Sequence, residues 1–221
     1  AKQMGGISGE QGYSIAVDNN GYVYTTGHFL GTCDFDPSSA TYNLTPFGYD
    51  DIFISKLDVS GNFIWAKQIG GIGSAQGYSI AVDNYGNVYT TGYFDGTCDF
   101  NPSSGTYNIT SFSSGYNDIF ISKLDAAGNF AWAKQIGGIY GDEGYSIAVD
   151  NNGNVYTTGF FDSTCDFDPS SETYNLTSFG SPDIFVSMLN GEGNFVWAKQ
   201  MGGVDMGKGY SIAVDNNGNV Y

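Results

Sequence analysis

One feature constrains this chain more than any other: a unit of about 66 residues recurs along it. Gly-Tyr-Ser-Ile-Ala-Val-Asp begins at Gly12, Gly77, Gly144 and Gly209, at spacings of 65, 67 and 65 residues. Val-Tyr-Thr-Thr-Gly follows at Val23, Val88 and Val155, then Thr-Cys-Asp-Phe-(Asp/Asn)-Pro-Ser-Ser at Thr32, Thr97 and Thr164. Thr-Tyr-Asn-(Leu/Ile)-Thr starts at Thr41, Thr106 and Thr173, and Asp-Ile-Phe at Asp51, Asp118 and Asp183. Each unit closes on Gly-Asn-Phe-x-Trp-Ala-Lys-Gln-x-Gly-Gly, from Gly61, Gly128 and Gly193. A unit this short cannot bury a hydrophobic face alone, so such units fold by stacking on one another.

Each unit reads as four strands: residues 13–18, 22–29, 51–57 and 63–69 in the first. Tyr13, Ile15 and Val17 alternate along one face, and Phe63, Trp65 and Ile69 along another. The turns Asp18-Asn19-Asn20-Gly21 and Asp58-Val59-Ser60-Gly61-Asn62 supply residues that tolerate positive φ. About twenty residues separate the second strand from the third, and no stretch has helical periodicity. Ile52 and Ile54 point one way while Phe53 and Leu57 point the other. A sheet apolar on both faces must be sandwiched between neighbours. Four antiparallel strands per tandem unit is the pattern of a β-propeller blade. The expected fold is therefore all-β, a single propeller domain over residues 1–221. Its full repeats are 12–76, 77–143 and 144–208, and its partial pieces 1–11 and 209–221.

Composition removes several functional classes. Lysine and arginine together number 7 against 23 acidic residues, a net charge of −16, so nucleic acid is excluded as a partner. No apolar run approaches the ~20 residues that span a bilayer, so no membrane insertion is expected. A hydrophobic content of 41% is too high for disorder, and a single histidine leaves little room for a His-based metal site or triad.

These motifs resemble the bacterial β-propeller repeat family, the SBBP-type repeat, and most of all its Bacteroidetes-like surface repeat proteins. The shared elements are Asp-Phe-Asp-Pro, Asn-Leu-Thr, Asp-Ile-Phe and Gly-Asn-Phe-x-Trp-Ala-Lys. The resemblance implies a propeller fold, an extracellular or cell-surface location and no catalytic activity.

Two sets of residues are candidate sites. Asn43, Asn108 and Asn175 each begin an N-x-Thr sequon between the second and third strands, where a covalent glycan would be accessible. The competing reading is a polar turn. The pairs Asp34/Asp36, Asp99/Asn101 and Asp166/Asp168 offer alternating hard oxygens of the kind Ca²⁺ takes; the alternative is an Asx turn into the following proline. No other cofactor is expected. Cys33, Cys98 and Cys165 hold one equivalent position, which keeps them too far apart for a disulfide and makes them small buried thiols. Trp65, Trp132 and Trp197 read as core, and His28 fills a slot that is Tyr93 and Phe160 in the other units. The five-residue loops entering the first strand vary most, which suggests a contact surface.

The functional reading is a non-catalytic extracellular structural or adhesive protein, glycosylated at the sequons, that assembles with itself. A lectin-like propeller with one shallow site per blade at Asp-Phe-Asp-Pro is the alternative, and a glycoside-active enzyme ranks below it. Residues 1–24 align without gaps to residues 198–221. The chain thus opens on a fourth strand and stops early in a second, fifteen strands where four blades need sixteen. The expectation is a four-bladed propeller with one incomplete blade that joins head-to-tail into a filament. The rival is a segment of a longer array.

Overall fold

A computed structural model describes residues 2–221. Every regular element is a strand, and no helix is long and apolar enough to cross a membrane. A short strand, β1 (Gly5–Gly6), precedes the first repeat. That repeat holds β2 (Glu10–Val17), β3 (Val23–Phe29), β4 (Cys33–Asp34), β5 (Asn43–Leu44), β6 (Asp51–Leu57) and β7 (Phe63–Gly71). The second holds β8 (Ala75–Val82), β9 (Val88–Phe94), β10 (Thr97–Asp99), β11 (Asn108–Thr110), β12 (Asp118–Leu124) and β13 (Phe130–Gly138). The third holds β14 (Glu143–Val149), β15 (Val155–Phe161), β16 (Thr164–Asp166), β17 (Asn175–Thr177), β18 (Asp183–Leu189) and β19 (Phe195–Met201).

The four long strands of each repeat form one antiparallel blade, as expected. The segment between second and third strands does more than connect. It folds into a short hairpin, and that hairpin adds to the blade of the preceding repeat. The strands therefore run β2-β3-β6-β7-β10-β11 in one six-stranded sheet and β8-β9-β12-β13-β16-β17 in the next. The third repeat gives a four-stranded sheet, and β1 pairs with β4-β5 in a three-stranded one. The graft works because each fourth strand ends in Gly-Gly. Cys98 pairs with Gly71, and Cys165 with Gly138. A Cβ on Gly71 would lie 1.9 Å from the Thr97 carbonyl oxygen, and one on Gly70 would lie 2.0 Å from the Asp51 carboxylate. Glycine is the one residue that admits both neighbours.

Blades stack face to face, and each apolar cluster is shared between two of them. Ile52, Ile54 and Ile69 of the first repeat bury together with Ile80, Phe94, Cys98 and Phe100 of the second. Ile119, Ile121 and Ile136 of the second repeat do the same with Ile147, Phe161, Cys165 and Phe167 of the third. Phe53 points to the opposite face, with Phe29, Cys33 and Phe35, so the two-faced pattern read from the sequence is the packing observed. Each first strand lies on the preceding blade at close range: a Cβ on Gly77 would sit 2.5 Å from Thr26 Oγ1, and one on Gly144 2.4 Å from Thr91 Oγ1.

Polar ladders follow the same stacking. The Asn19 amide donates to Asn84 Oδ1 at 3.0 Å, Asn84 to Asn151 at 3.0 Å, and Asn151 to Asn216 at 3.1 Å. The ring centroids of Tyr13, Tyr78, Tyr145 and Tyr210 follow one another at 5.1, 5.5 and 5.5 Å. Ser14, Ser79 and Ser146 each accept a hydrogen bond from the backbone of the next first strand.

The stack is open at both ends. Ile15 is 66% exposed, whereas its counterparts Ile80 and Ile147 are each 5% exposed. Met201 is 51% exposed where Ile69 and Ile136 are wholly buried. Residues 209–221 begin a further blade: Ala213 and Tyr221 exchange backbone hydrogen bonds, and Val214 bridges Val220.

The repeat supplies its own control for this packing. Ile80→Ala should cost about 2–4 kcal/mol in urea unfolding, the range for an emptied core site, and Ile15→Ala less than about 0.5 kcal/mol in dilute protein. Equal costs would refute blade-on-blade burial as the source of stability.

Candidate functional site

The anchor of each blade junction is the aspartate of Asp-Ile-Phe. Asp51, Asp118 and Asp183 are fully buried. Their Oδ2 atoms accept the backbone N–H of Phe47, Phe112 and Phe179 at 2.9, 2.7 and 3.0 Å, and the side-chain amides of Gln68, Gln135 and Gln200. The same glutamines donate to the carbonyls of Thr45, Thr110 and Thr177 at 2.8, 3.0 and 2.8 Å. One glutamine thus ties the fourth strand, the hairpin and the third strand together.

Above this anchor lies an open groove that recurs from junction to junction. Between the second and third repeats it encloses about 380 Å³. Tyr107 and Phe112 stand on one wall, Asp166 and Asp168 on the other, with Lys134 and Gln135 on the floor. Between the first and second repeats, Tyr42, Phe47, Lys67, Gln68, Asp99 and Asn101 line a version of about 200 Å³. The corresponding place before the first repeat holds Gln3, Asp34 and Asp36. One wall is the hairpin of one repeat, the other the hairpin of the next, and the floor is the fourth strand between them.

The acidic pairs named from the sequence sit on this groove as Asx turns. Asp34 Oδ1 accepts the N–H of Asp36 at 3.0 Å and of Tyr42 at 2.8 Å. Asp99 serves Asn101 and Tyr107, and Asp166 serves Asp168 and Tyr174, in the same way. Asp36, Asn101 and Asp168 each accept from the serine two residues on. One side-chain oxygen of each residue is thereby committed to the backbone. Among the described residues no group of three or more His, Cys, Asp or Glu is placed to hold a metal ion.

The sequon residues Asn43, Asn108 and Asn175 are exposed on β5, β11 and β17. Tyr107 and Ile109 line the groove while Asn108 lies between them, so the asparagine belongs to the outer face of the hairpin. The sequon threonines pair with cross-strand hydroxyls: Thr32 with Thr45, Thr97 with Thr110 and Thr164 with Thr177, at 2.8, 2.8 and 2.9 Å. All three cysteines are free and buried, and burial holds their thiols protonated, with Cys33 pushed up to about 11. His28 packs on Tyr13 with ring centroids 5.4 Å apart, as Tyr93 packs on Tyr78, and burial holds its imidazole below the ordinary range. The tryptophans pack partly buried against the core clusters, and Trp132 donates to the Gly191 carbonyl of the next repeat at 3.1 Å.

Two features escaped the sequence reading. Lys56 and Lys123 reach across the junction to the carbonyls of Ala126 and Gly191 at 3.2 and 3.1 Å, over the rings of Tyr24 and Tyr89. Their recurrence in Ser-Lys-Leu was the available signal. The variable loop entering the first strand is exposed only in part: Ile72, Ile139 and Val204 open it at the surface, while its fourth residue is buried against the previous blade, as Ala75 and as Asp142. Asp142 Oδ1 accepts the N–H of Asp162 at 2.9 Å, but its Oδ2 and Oδ1 of Asp118 are buried without a hydrogen-bond partner. Burial first, and the neighbouring Asp118 charge, push the Asp142 carboxyl up to about 8; burial pushes Asp118 up to about 6.

With this geometry in view, comparison with known proteins is direct. The β-propeller repeat family SBBP matches residues 1–28, 64–96 and 131–159. The chain carries SBBP β-propeller repeats. The second and third matched segments run from a fourth strand through the next first strand into the second, so they straddle the blade junction. The hairpins that wall the groove lie outside them. The chain is 27% identical over 230 residues to the uncharacterized WD repeat-containing protein L264 of Acanthamoeba polyphaga mimivirus, covering 92% of this chain and 16% of that protein. It is 30% identical over 112 residues to the regulatory protein FlaEY of Caulobacter vibrioides, covering 51% of this chain and 12% of that protein. It therefore spans a small fraction of the length of either relative.

The Asp142 environment sets a pH dependence of stability. Its folded pKa lies above the unfolded value near 3.9, so its contribution is full below about pH 4 and is lost as pH rises through about 8. Asp118, Asp162 and the Cys165 thiol are the titratable groups around it. Asp142→Ala places there the residue that Ala75 already is one repeat earlier. It should raise Tm by about 3–8 °C at pH 8.5 and by less than about 1 °C at pH 4. An equal gain at both pH values would contradict a buried, proton-holding carboxyl.

Proposed function

We propose that the chain is a non-catalytic, exported repeat scaffold whose blades dock on blades of a second copy. The exposed faces at Ile15 and at Met201 carry this reading. Ile15 lies open where Ile80 and Ile147 are covered by the blade before them. On the other face residues 209–221 already take the first-strand seat, with Ile212 8% exposed, and Met201 stays open beside them. There an apolar groove of about 450 Å³ is lined by Ile184, Val186, Trp197, Ile212 and Tyr221. In the interior, Phe100 joins the cluster that buries Ile69, the counterpart of Met201. The asparagine ladder also has a rung to spare at each end, the Asn19 carbonyl and the Asn216 amide. Such a contact joins unlike faces, so it extends rather than closes in pairs. The repetition of one polar motif at every junction supports a scaffold rather than an enzyme, because a catalytic site is asymmetric.

Export is supported by the likeness to surface repeat proteins, and by sequons exposed in every repeat. On native material, the proposal expects covalent glycan at Asn43, Asn108 and Asn175, visible as added intact mass that is lost on Asn→Gln substitution.

Sedimentation velocity tests the association. Sixteen net negative charges oppose contact between copies, so raising ionic strength from about 10 to about 300 mM should shift the chain toward dimers and longer species. Ile15→Asp and Met201→Asp should each hold it monomeric, while a one-to-one mixture of the two should form heterodimers, each variant retaining one intact end. A wild-type chain that stays monomeric at all salt and protein concentrations defeats the proposal.

A further inference from the structure

We propose that the recurring junction groove is a saccharide site: each junction holds one ring of a neutral pyranose, and consecutive junctions together read a polysaccharide. This inference does not depend on association between chains, because the groove lies away from the Ile15 and Met201 ends.

Four observations support it. First, the groove recurs with equivalent walls and floor, at about 380 and 200 Å³, with Asn101 in the smaller one standing where Asp168 stands in the larger. The larger version falls in the size range of small-ligand sites. Second, aromatic side chains line it without being consumed by the core. Phe47 and Phe112 are 68% and 58% exposed, although the backbone N–H of each is anchored on a buried aspartate. Tyr107 stands beside Phe112, its ring braced 4.8 Å from Phe130. A repeated exposed phenylalanine has no packing reason to persist, whereas the C–H face of a pyranose ring is an apolar plate that stacks on such a ring.

Third, the facing wall can bind hydroxyls. Asp166 and Asp168 each use Oδ1 for a backbone turn, which fixes the carboxylate, and among the described residues Oδ2 of each makes no hydrogen bond. A carboxylate held rigidly with an open acceptor oxygen is suited to the O–H groups of a sugar edge. Lys134 on the floor supplies donors to ring or hydroxyl oxygens. Fourth, the charge selects among sugars. In the larger groove Asp166, Asp168 and Glu172 stand against the single Lys134, so uronates and sialic acids are repelled there and neutral pyranoses are admitted; in the smaller groove Asp99 and Lys67 balance.

Each open groove offers one aromatic platform and a few polar contacts, so a single ring binds weakly. Tethered grooves convert successive contacts into intramolecular ones, which multiplies the affinity for a chain of rings. Sequon glycans on the outer face of the hairpin leave the groove clear.

The test is saturation-transfer NMR on the full chain with four neutral hexaoses: malto-, cello-, manno- and chitohexaose, and with hexagalacturonate as the acidic arm. At least one neutral hexaose should receive saturation and shift the aromatic resonances of Phe47, Phe112 and their neighbours. It should bind at least about tenfold more tightly than its monosaccharide, and hexagalacturonate should not bind. Phe47→Ala and Phe112→Ala combined should lower that affinity at least about tenfold with the circular dichroism and Tm unchanged. Failure of all four neutral hexaoses, equal binding of hexagalacturonate, or wild-type affinity in the double variant would overturn the proposal. If the double variant does not fold, the wild-type aromatic shifts decide alone: shifts confined to the core tyrosines and phenylalanines would count against the groove.

Discussion

The structure rests on the seating of each first strand against the isoleucine face of the blade before it. Gly77 and Gly144 bring that strand's backbone within reach of Thr26 and Thr91, and Ile80 and Ile147 then close the gap between blades. Blade faces packed this way share apolar clusters, so much of the hydrophobic gain is collected at junctions rather than within repeats. The grafted hairpins make the same junctions covalently continuous. Cys98 and Phe100 belong by sequence to the second repeat but pair with and cover the first. Each interior blade is thus finished by its successor.

Much of this was legible in the residues because the informative patterns are strict. Alternation along Ile52-Phe53-Ile54 identifies a strand apolar on both faces, and the Asp-x-x-Gly turns fix where strands reverse, as at Gly21 and Gly61 with φ of 82° and 76°. The strand positions agree with expectation to within a few residues, the first strand beginning at Glu10 rather than Tyr13. The hairpin between second and third strands was not legible. Strands of two or three residues are too short to show alternation, and their partner, a Gly-Gly pair, has no side chains to pattern. The groove was visible only in part: Asp-Phe-Asp-Pro marks one wall, but the other wall comes from a different repeat, and no local pattern can announce that pairing.

Asp142 shows how repetition and its breaking read differently. At a position where Ala75 packs without cost, the third repeat carries a carboxyl with one oxygen unpartnered beside Asp118. Burial of an unpaired charge is expensive, so the group holds its proton instead. The loop's variability suggested freedom, yet the residue is among the most enclosed in the chain. Variation in a loop of fixed length reports tolerance for different chemistry at the position, and a titrating group tolerates burial that a permanent charge does not.

Repeated residues call for the opposite sorting. Asp118, Gln135, Thr110 and Cys98 recur because every copy needs them to anchor a blade, seat a hairpin or fill a face, and each has a partner that accounts for it. Duplication copies such residues, and structure retains them. A second group recurs without any such partner: the exposed rings of Phe47, Phe112 and Phe179 and the outer asparagines Asn43, Asn108 and Asn175. Stability alone does not hold an exposed phenylalanine in place, since surface exchanges away from packed features change it by less than about half a kcal/mol. What recurs without a structural task is where the chemistry of a scaffold protein is to be sought. In each repeat those residues lie on or just after the hairpin, with the rings of Phe47 and Phe112 in the grooves and the asparagines on the outer side.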